Sequence, residues 1–330
     1  MKRASKLICI ALALTLCLTA CGKQSESAET TTEATTEANE AMPEYMEIDE
    51  GNGESSIFYG TYTDTWELNT KGELVLYENF EMEDYEYSES PWISDREFVY
   101  SVKFQGDIDF IGGSAFYGCV NLTSVDIPDG VTRIGYGAFY ACDSLTEVTI
   151  SDSVTVIEKN AFYGCESLAS VVLPNSVTEI SDSAFSLCYS LESITIPAGV
   201  TELGDYVFSQ CTSLTGIAVD EDNPNYADVD GVLFNKDLTE LICYPLGKLD
   251  TDYEIPDGVT TIDANAFEKN ETFTSVTIPA SVTFIGEFAF SECPSLTDVY
   301  YQGTEAEWNE ITLEKYYDYQ SEFTVHFEGE

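Results

Sequence analysis

Histidine occurs once in 330 residues, as His326, and Lys and Arg together number 13 against 60 Asp and Glu. With no second imidazole and no thiol set beside one in sequence, Ser-His-Asp and Cys-His catalysis lack their parts. The formal charge of −47 argues against a nucleic-acid partner, because a binder must neutralise phosphates with cations. It also disfavours lying flat on anionic lipid. It would attract basic ligands or divalent cations, and equally it serves plain solubility. No C-x-x-C pair offers converging zinc ligands, and no G-x-x-x-x-G-K-[ST] loop offers a phosphate cradle. Carboxylates are so many that some pair will always resemble an acid/base dyad, so none can be singled out without geometry. The chain is therefore read as non-enzymatic and without a cofactor. Beyond the first twenty residues no apolar run reaches the roughly 18 residues that a membrane helix needs.

Those first residues have a pattern of their own. Lys2, Arg3 and Lys6 precede the short apolar run LICIALALTLCLTA, which has the length of a signal-peptide core. The run ends Leu18-Thr19-Ala20-Cys21-Gly22, which resembles the lipobox of bacterial lipoproteins. The resemblance implies cleavage before Cys21 and a lipid on its thiol, usually with a further chain on the new amine; two or three acyl chains hold firmly where one does not. An ordinary cleaved signal with an incidental Cys is the alternative. Residues 1–20 are assigned to the leader, and residues 21–44, rich in Ser, Thr, Glu and Ala, to the lipidated Cys and a disordered stalk.

Internal repetition dominates the remainder. LTSVDIPDGVTRIGYGAFYACDS at Leu122 recurs in related form at Leu145, Leu168 and Leu191, each 23 residues on, and again at Phe273; a partial copy begins at Phe110. Each copy reads as one turn of a solenoid whose neighbours complete its core. L-x-x-V-x-I alternates as a short strand, with Val125 and Ile127 and their equivalents inward. V-T-x-I is a second short extended piece. A-F-x-x-C is read as a helical turn that brings Phe116, Phe139, Phe162, Phe185, Phe208 and Phe290 into one stack. The fold class expected is an α/β repeat solenoid, mostly short strands with short helical turns, coiled right-handed.

This pattern resembles the BspA-like leucine-rich repeat family of bacterial surface proteins, L-x-x-V-x-I-P-x-x-V-x-x-I-G-x-x-A-F-x-x-C, over about residues 110–295. Where the commoner leucine-rich repeat places an Asn ladder, this chain has Gly130, Ser153, Ser176, Gly199 and Ser281, which suggests a tight turn without Asn side-chain bonds. The period breaks from Leu214 to Phe273. There, about residues 218–250 read as a hairpin island, Gly231 to Phe234 returning as Leu238 to Tyr244. The resemblance extends to this island, to a β module at residues 45–109 holding Trp66 and Trp92, and to a segment at 296–330 in which Trp308 packs on the last turn and Thr324 to Phe327 closes it. Both end segments are expected to cap the solenoid's edges.

Several residues stand out as site candidates. Cys119, Cys142, Cys165, Cys188, Cys211 and Cys293 share one phase; disulfides between rungs are conceivable on distance, but a ladder of buried thiols is the reading preferred. Asp220, Asp222, Asp228 and Asp230 suggest a weak calcium loop, although Tyr226 stands where an EF-hand has its first Asp; a solvated turn is the alternative. Outward positions of the first strand, Ser124 and Asp126, Glu147 and Thr149, Ser170, Ser193 and Thr195, Ser275 and Thr277, form a Ser/Thr/acid face. Tyr117, Tyr140 and Tyr163, with Tyr189 nearby, form an aromatic column of the type favoured at interfaces. The lipobox resemblance implies a lipid anchor on the extracellular face of a bacterial membrane, and the family resemblance a binding or adhesion protein with a protein or glycan ligand on host or neighbouring cells; a monomer is expected. An enzyme, or enzyme subunit, acting on extracellular polymers is the competing expectation.

Overall fold

The computed structural model describes residues 46–49, 55–58, 61–313 and 323–328. All of these fall in one compact unit, Pro43–Glu330; Met1–Met42 is the other and lies outside the described residues, as do the leader, Cys21 and the stalk.

Alternation of apolar and polar residues builds the first strand column. Ser124–Asp126 and Glu147–Thr149 pair in parallel, with Ser124 opposite Glu147 and Val125 opposite Val148. Val125 and Val148 are buried while the residues beside them are exposed, so period two sends one face to the core and one to solvent. A second column runs Phe110–Ile111, Arg133–Ile134, Val156–Ile157, Glu179–Ile180 and Glu202–Leu203, also parallel and in register.

The third side of each turn is not helical. In Gly112 to Leu122 alternate amides serve two directions. Those of Ser114, Phe116 and Gly118 donate to the carbonyls of Tyr136, Ala138 and Tyr140 on the next turn at 2.8 Å, while those of Ala115, Tyr117 and Cys119 bond three residues back. Single left-handed residues four apart, such as Ser114 and Gly118 or Ala141 and Gly137, produce the alternation. An α-helix would turn every amide onto its own carbonyls. The arc instead spends half of them on its neighbour, which corrects the α/β expectation to a β-solenoid with little helix. Among the described residues the helices are a 3₁₀ segment, Ile93–Phe98, and one four-residue α-helix, Glu305–Trp308, closed by a Thr304/Glu307 capping box.

The corners are held by threonine. Thr155 Oγ1 donates to the carbonyl of Thr132 one turn back and Thr178 Oγ1 to that of Thr155, each at 3.1 Å; Thr146 does the same to Thr123 at the other corner. Ser153 and Ser281 also bond, to the carbonyls of Val131 and Val259. At these two of the five positions a Ser bond stands where the commoner repeat has Asn; the Ser176 hydroxyl is buried without a partner among the described residues.

Inside, Trp92 lies flat on Phe116, and Phe116, Phe139 and Phe162 stack at 5.1 and 5.2 Å with planes within 10°. Burying each such ring stabilises by about 2 kcal/mol. The single stack expected is in fact two. The first ends at Phe208; the second starts at Tyr244 and runs through Phe267 to Phe290. The core divides at the same place, into one cluster from Trp66 to Leu233 and another from Val232 to Ile311.

The island causes this division. It has three strands, Tyr226–Val229, Val232–Asn235 and Glu240–Cys243, one more than the hairpin read from sequence. The first two are antiparallel with Val229 opposite Val232. Asp230 and Gly231, both at positive φ, form the two-residue connection that right-twisted strands favour. Glu240–Cys243 then pairs in parallel with Thr261–Ile262, so the island's last strand serves as a rung of the second column.

At the ends, Trp66–Leu68 and Glu73–Leu76 pair antiparallel, and Glu73–Leu76 runs parallel to Ser101–Phe104. Trp66 and Trp92 are buried as expected. Thr324–Phe327 adds in parallel to Asp298–Tyr301, and Trp308 packs edge-on against Tyr301.

Candidate functional site

The Ser/Thr/acid face is present but divided. Ser124, Asp126, Glu147, Thr149, Ser170, Ser193 and Thr195 are all exposed. The strand ladder is reduced to a single bridge, Ser170 to Ser193, where Val172 projects with 81% of its surface exposed. Ser275 and Thr277 are half-buried and belong to another sheet, on the far side of the island, with Asp298–Tyr301 and Thr324–Phe327. There His326 bonds Asp298 at 2.6 Å and stacks on Tyr300. That hydrogen bond holds the Asp298 carboxyl below its ordinary range.

The tyrosine column is the more ordered surface. Tyr117 stacks on Tyr140 at 5.0 Å and Tyr140 on Tyr163 at 4.7 Å, planes within 21° and 10°. Tyr87 closes the stack edge-on against Tyr117 and shares a hydroxyl contact with Tyr136. That hydrogen bond, more than burial, pushes the Tyr87 phenol up to about 12. Beside it, burial pushes the Asp84 carboxyl up, but Arg133 and the Gly113 amide outweigh this and leave it below its ordinary range. Arg133 bridges Asp84 and Glu158 at 3.2 Å each. Tyr189 does not join the column: it follows Cys188, its ring stacks on no other among the described residues, and Ser186 holds the fourth slot of the register. Tyr87 and Tyr136 are the contributors that sequence reasoning missed; they lie outside the repeat phase, so periodicity gave no signal for them.

The cysteine ladder is chemically quiet. The seven cysteines of the described residues form no disulfide with one another, and all but the half-buried Cys243 are buried. Cys142, Cys165, Cys188 and Cys211 each donate to the carbonyl of the Phe one turn back, at 3.1 to 3.3 Å. Burial pushes the Cys119 thiol up to about 12 and Cys293 to about 11, which removes the thiolate that nucleophilic or redox chemistry requires.

The island aspartates do not converge. Asp228 accepts the amides of Val219 and Gly231 and so braces its own turn, while Asp220 accepts that of Asp222. Among the described residues no group of three or more His, Cys, Asp or Glu is placed to hold a metal ion. Nor does any helix there have the length and apolarity to cross a membrane.

The surface most altered by the island lies on the arc side, beyond Tyr163. Every earlier arc gives three amides to the next, but those of Tyr206, Phe208 and Gln210 have no acceptor among the described residues, because the island occupies the following turn. A groove opens there, bounded by Tyr163, Ser186, Tyr206, Gln210, Asn265 and Glu268. A smaller recess beside it holds Asp205 and Asp263. Burial, reinforced by Asp205, raises the Asp263 carboxyl; burial and then Asp263 raise that of Glu240.

Comparison with known proteins accords with this architecture. A leucine-rich repeat protein from Eubacterium ventriosum is 29% identical, covers 76% of this chain and has a TM-score of 0.67; the match spans 66% of that protein. A leucine rich cell surface protein from Faecalibacterium prausnitzii is also 29% identical, over 73% of this chain and 76% of its own, with a TM-score of 0.52. No curated protein matches the chain. The model of the BspA type leucine rich repeat region matches in six copies, over residues 95–221 and 248–322. That is more than half of the sequence, and the chain belongs to the BspA-type leucine-rich repeat family.

Proposed function

We propose that this is a non-catalytic binding protein of the bacterial cell surface, held to the outer face of the membrane by lipid on Cys21 and presenting its solenoid to a protein or glycan partner on host or neighbouring cells. The observation that carries this reading is the surface itself: stacked turns with exposed side chains in register, the kind of extended face repeat proteins use for recognition. The cell-surface description of the Faecalibacterium relative supports the location. In this reading the stalk from Gly22 lifts the repeats from the lipid, strands 61–104 and the segment from Leu296 cap them as a monomer, and adhesion needs no cofactor. The chain from Gly22 to Glu330, incubated with cells and immobilised matrix proteins, should be retained more than an unrelated acidic lipoprotein. Glu147→Arg, in the middle of the exposed strand face, should weaken that retention. Retention no greater than the control's would defeat the proposal.

A further inference from the structure

The tyrosine column stops abruptly. One period beyond Tyr163 the same slot holds Ser186, then Ser209, and after the island Glu268. Tyr163 is packed on Tyr140 by one ring face. Its other face looks along the solenoid onto Ser186, which is 5% exposed and whose hydroxyl is committed to the Ser209 carbonyl at 3.1 Å. The space where two further rings would stand, about 10 Å at two strand spacings, is the groove described above.

Its walls are polar and unsatisfied. The amides of Tyr206 and Gln210 hold the places of those that bond the next turn in earlier arcs, and have no acceptor among the described residues. Opposite them Asn265 gives its amide to Glu268 at 2.6 Å, and its Oδ1 is buried without a partner. Buried polar atoms without partners are rare, because each costs about 1–3 kcal/mol. Tyr206 stands at the rim, 42% exposed. The site therefore offers a flat aromatic platform, backbone donors on one side, and the Glu268 carboxylate as acceptor on the other.

We propose that this groove binds an uncharged sugar chain, a pyranose ring lying on the free face of Tyr163 and the chain's hydroxyls bridging the Tyr206 and Gln210 amides to the Glu268 carboxylate. The ligand class follows from the walls. A pyranose has an apolar C–H face for a ring and, around its edge, hydroxyls that both donate and accept, which suits donors and acceptors facing each other across a short gap. An apolar peptide side chain would leave both sets unpaired. An anionic glycan would meet Glu268, Asp205 and Asp263 in a chain of charge −47, where like charges repel. The inference deepens the surface-binding reading and rests on it, since it names one ligand class and one place.

The test uses the full-length chain in detergent with three soluble probes: a neutral hexose oligosaccharide, an N-acetylhexosamine oligosaccharide, and a polyuronate of similar length. At least one neutral probe should bind with a dissociation constant at or below about 1 mM, and the polyuronate should not. Tyr163→Ala should weaken that binding about tenfold or more, Tyr163→Phe should retain it, and Tyr62→Ala, an exposed tyrosine outside the column and the groove, should leave it unchanged. An unaltered circular-dichroism spectrum confirms the fold of each variant. No binding of either neutral probe, or binding that Tyr163→Ala leaves intact, overturns the sugar site. Retention on cells or matrix that persists in the Tyr163→Ala chain leaves the broader reading standing while removing this one; loss of all retention by the parent chain removes both.

Discussion

Thr155 shows how much of this fold rests on a small exposed side chain. Its amide and its hydroxyl both reach the Thr132 carbonyl, at 2.8 and 3.1 Å, and its own carbonyl receives the same pair from Thr178. The Thr132 carbonyl also accepts the Val156 amide at 3.3 Å, so the hydroxyl is a third donor crowding an oxygen with two lone pairs, and its bond is a weak one. Thr155→Val keeps the β-branched shape and removes only that bond. Chemical denaturation should show a loss of about 0.5 kcal/mol, with Thr155→Ser near the parent. A valine variant as stable as the parent would show that water replaces the hydroxyl without cost. The recurrence of Thr after Val in each copy was visible in the sequence, but a residue with one donor and no burial carries no periodic hydrophobic signal. The Phe and Cys columns were legible for the opposite reason: they are buried, and burial is what periodicity reports.

At the level of elements, the island is where sequence and structure part most. Asp230-Gly231 between two apolar runs is a strong hairpin signal, yet the hairpin legible in the sequence is the following one, Gly231 to Phe234 with Leu238 to Tyr244, and the strand Tyr226–Val229 that pairs across Asp230-Gly231 is not part of it. Gly231 carries the turn at φ 78, and a Cβ there would approach Gly216 Cα to 3.0 Å. Gly231→Ala should cost about 2 kcal/mol, combining left-handed strain with a close contact. Gly258→Ala is the matched control, with a similar φ of 94 and nothing within 4 Å of the added carbon; it should cost about half as much. Equal losses in thermal melts would mean that the Gly216 contact relaxes freely. The arc explains a second misreading. A-F-x-x-C has helix-compatible residues, and nothing local distinguishes amides that turn inward from amides that reach the next rung; that choice belongs to the neighbour. Hydrogen exchange reads it directly. Amides of Phe162 and Phe185, bonded to Ala184 and Val207, should be strongly protected. Those of Tyr206 and Gln210 should exchange much faster despite sitting in the same arc position; comparable protection would show that the ladder continues across the island.

For the molecule as a whole, charge sets the conditions under which the solenoid is most stable. Burial, with Asp205 beside it, lifts the Asp263 carboxyl above the ordinary 3.8, and burial, with Asp263 beside it, lifts that of Glu240 above 4.5. A group whose folded pKa is raised contributes stability that is fully present below its unfolded pKa and is lost as pH rises through the folded one. At neutral pH that contribution is gone, and acidification restores it. Asp84 has the opposite sign: held below 3.8 by Arg133 and the Gly113 amide, it withdraws its support only when pH falls beneath the ordinary carboxylate range. Between about pH 7 and about pH 5, the shifted carboxyls that begin to take up protons are those whose ionised form is disfavoured by folding. The general repulsion of 60 acidic residues against 13 basic ones falls in the same direction. The melting temperature should therefore rise on mild acidification and fall again below about pH 4, as the Asp84–Arg133 pair is lost. Two variants separate the local from the global cause. Asp263→Asn should raise the melting temperature at neutral pH and flatten the acid-side gain. Added salt should raise the parent's melting temperature at neutral pH by screening the exposed carboxylates, and should do so equally in Asp263→Asn if the buried cluster is independent of the surface field. A melting temperature that falls steadily from neutral pH downward would mean that paired, stabilising carboxylates outweigh the crowded ones, and that the acidic surface is neutralised by contacts among its own side chains.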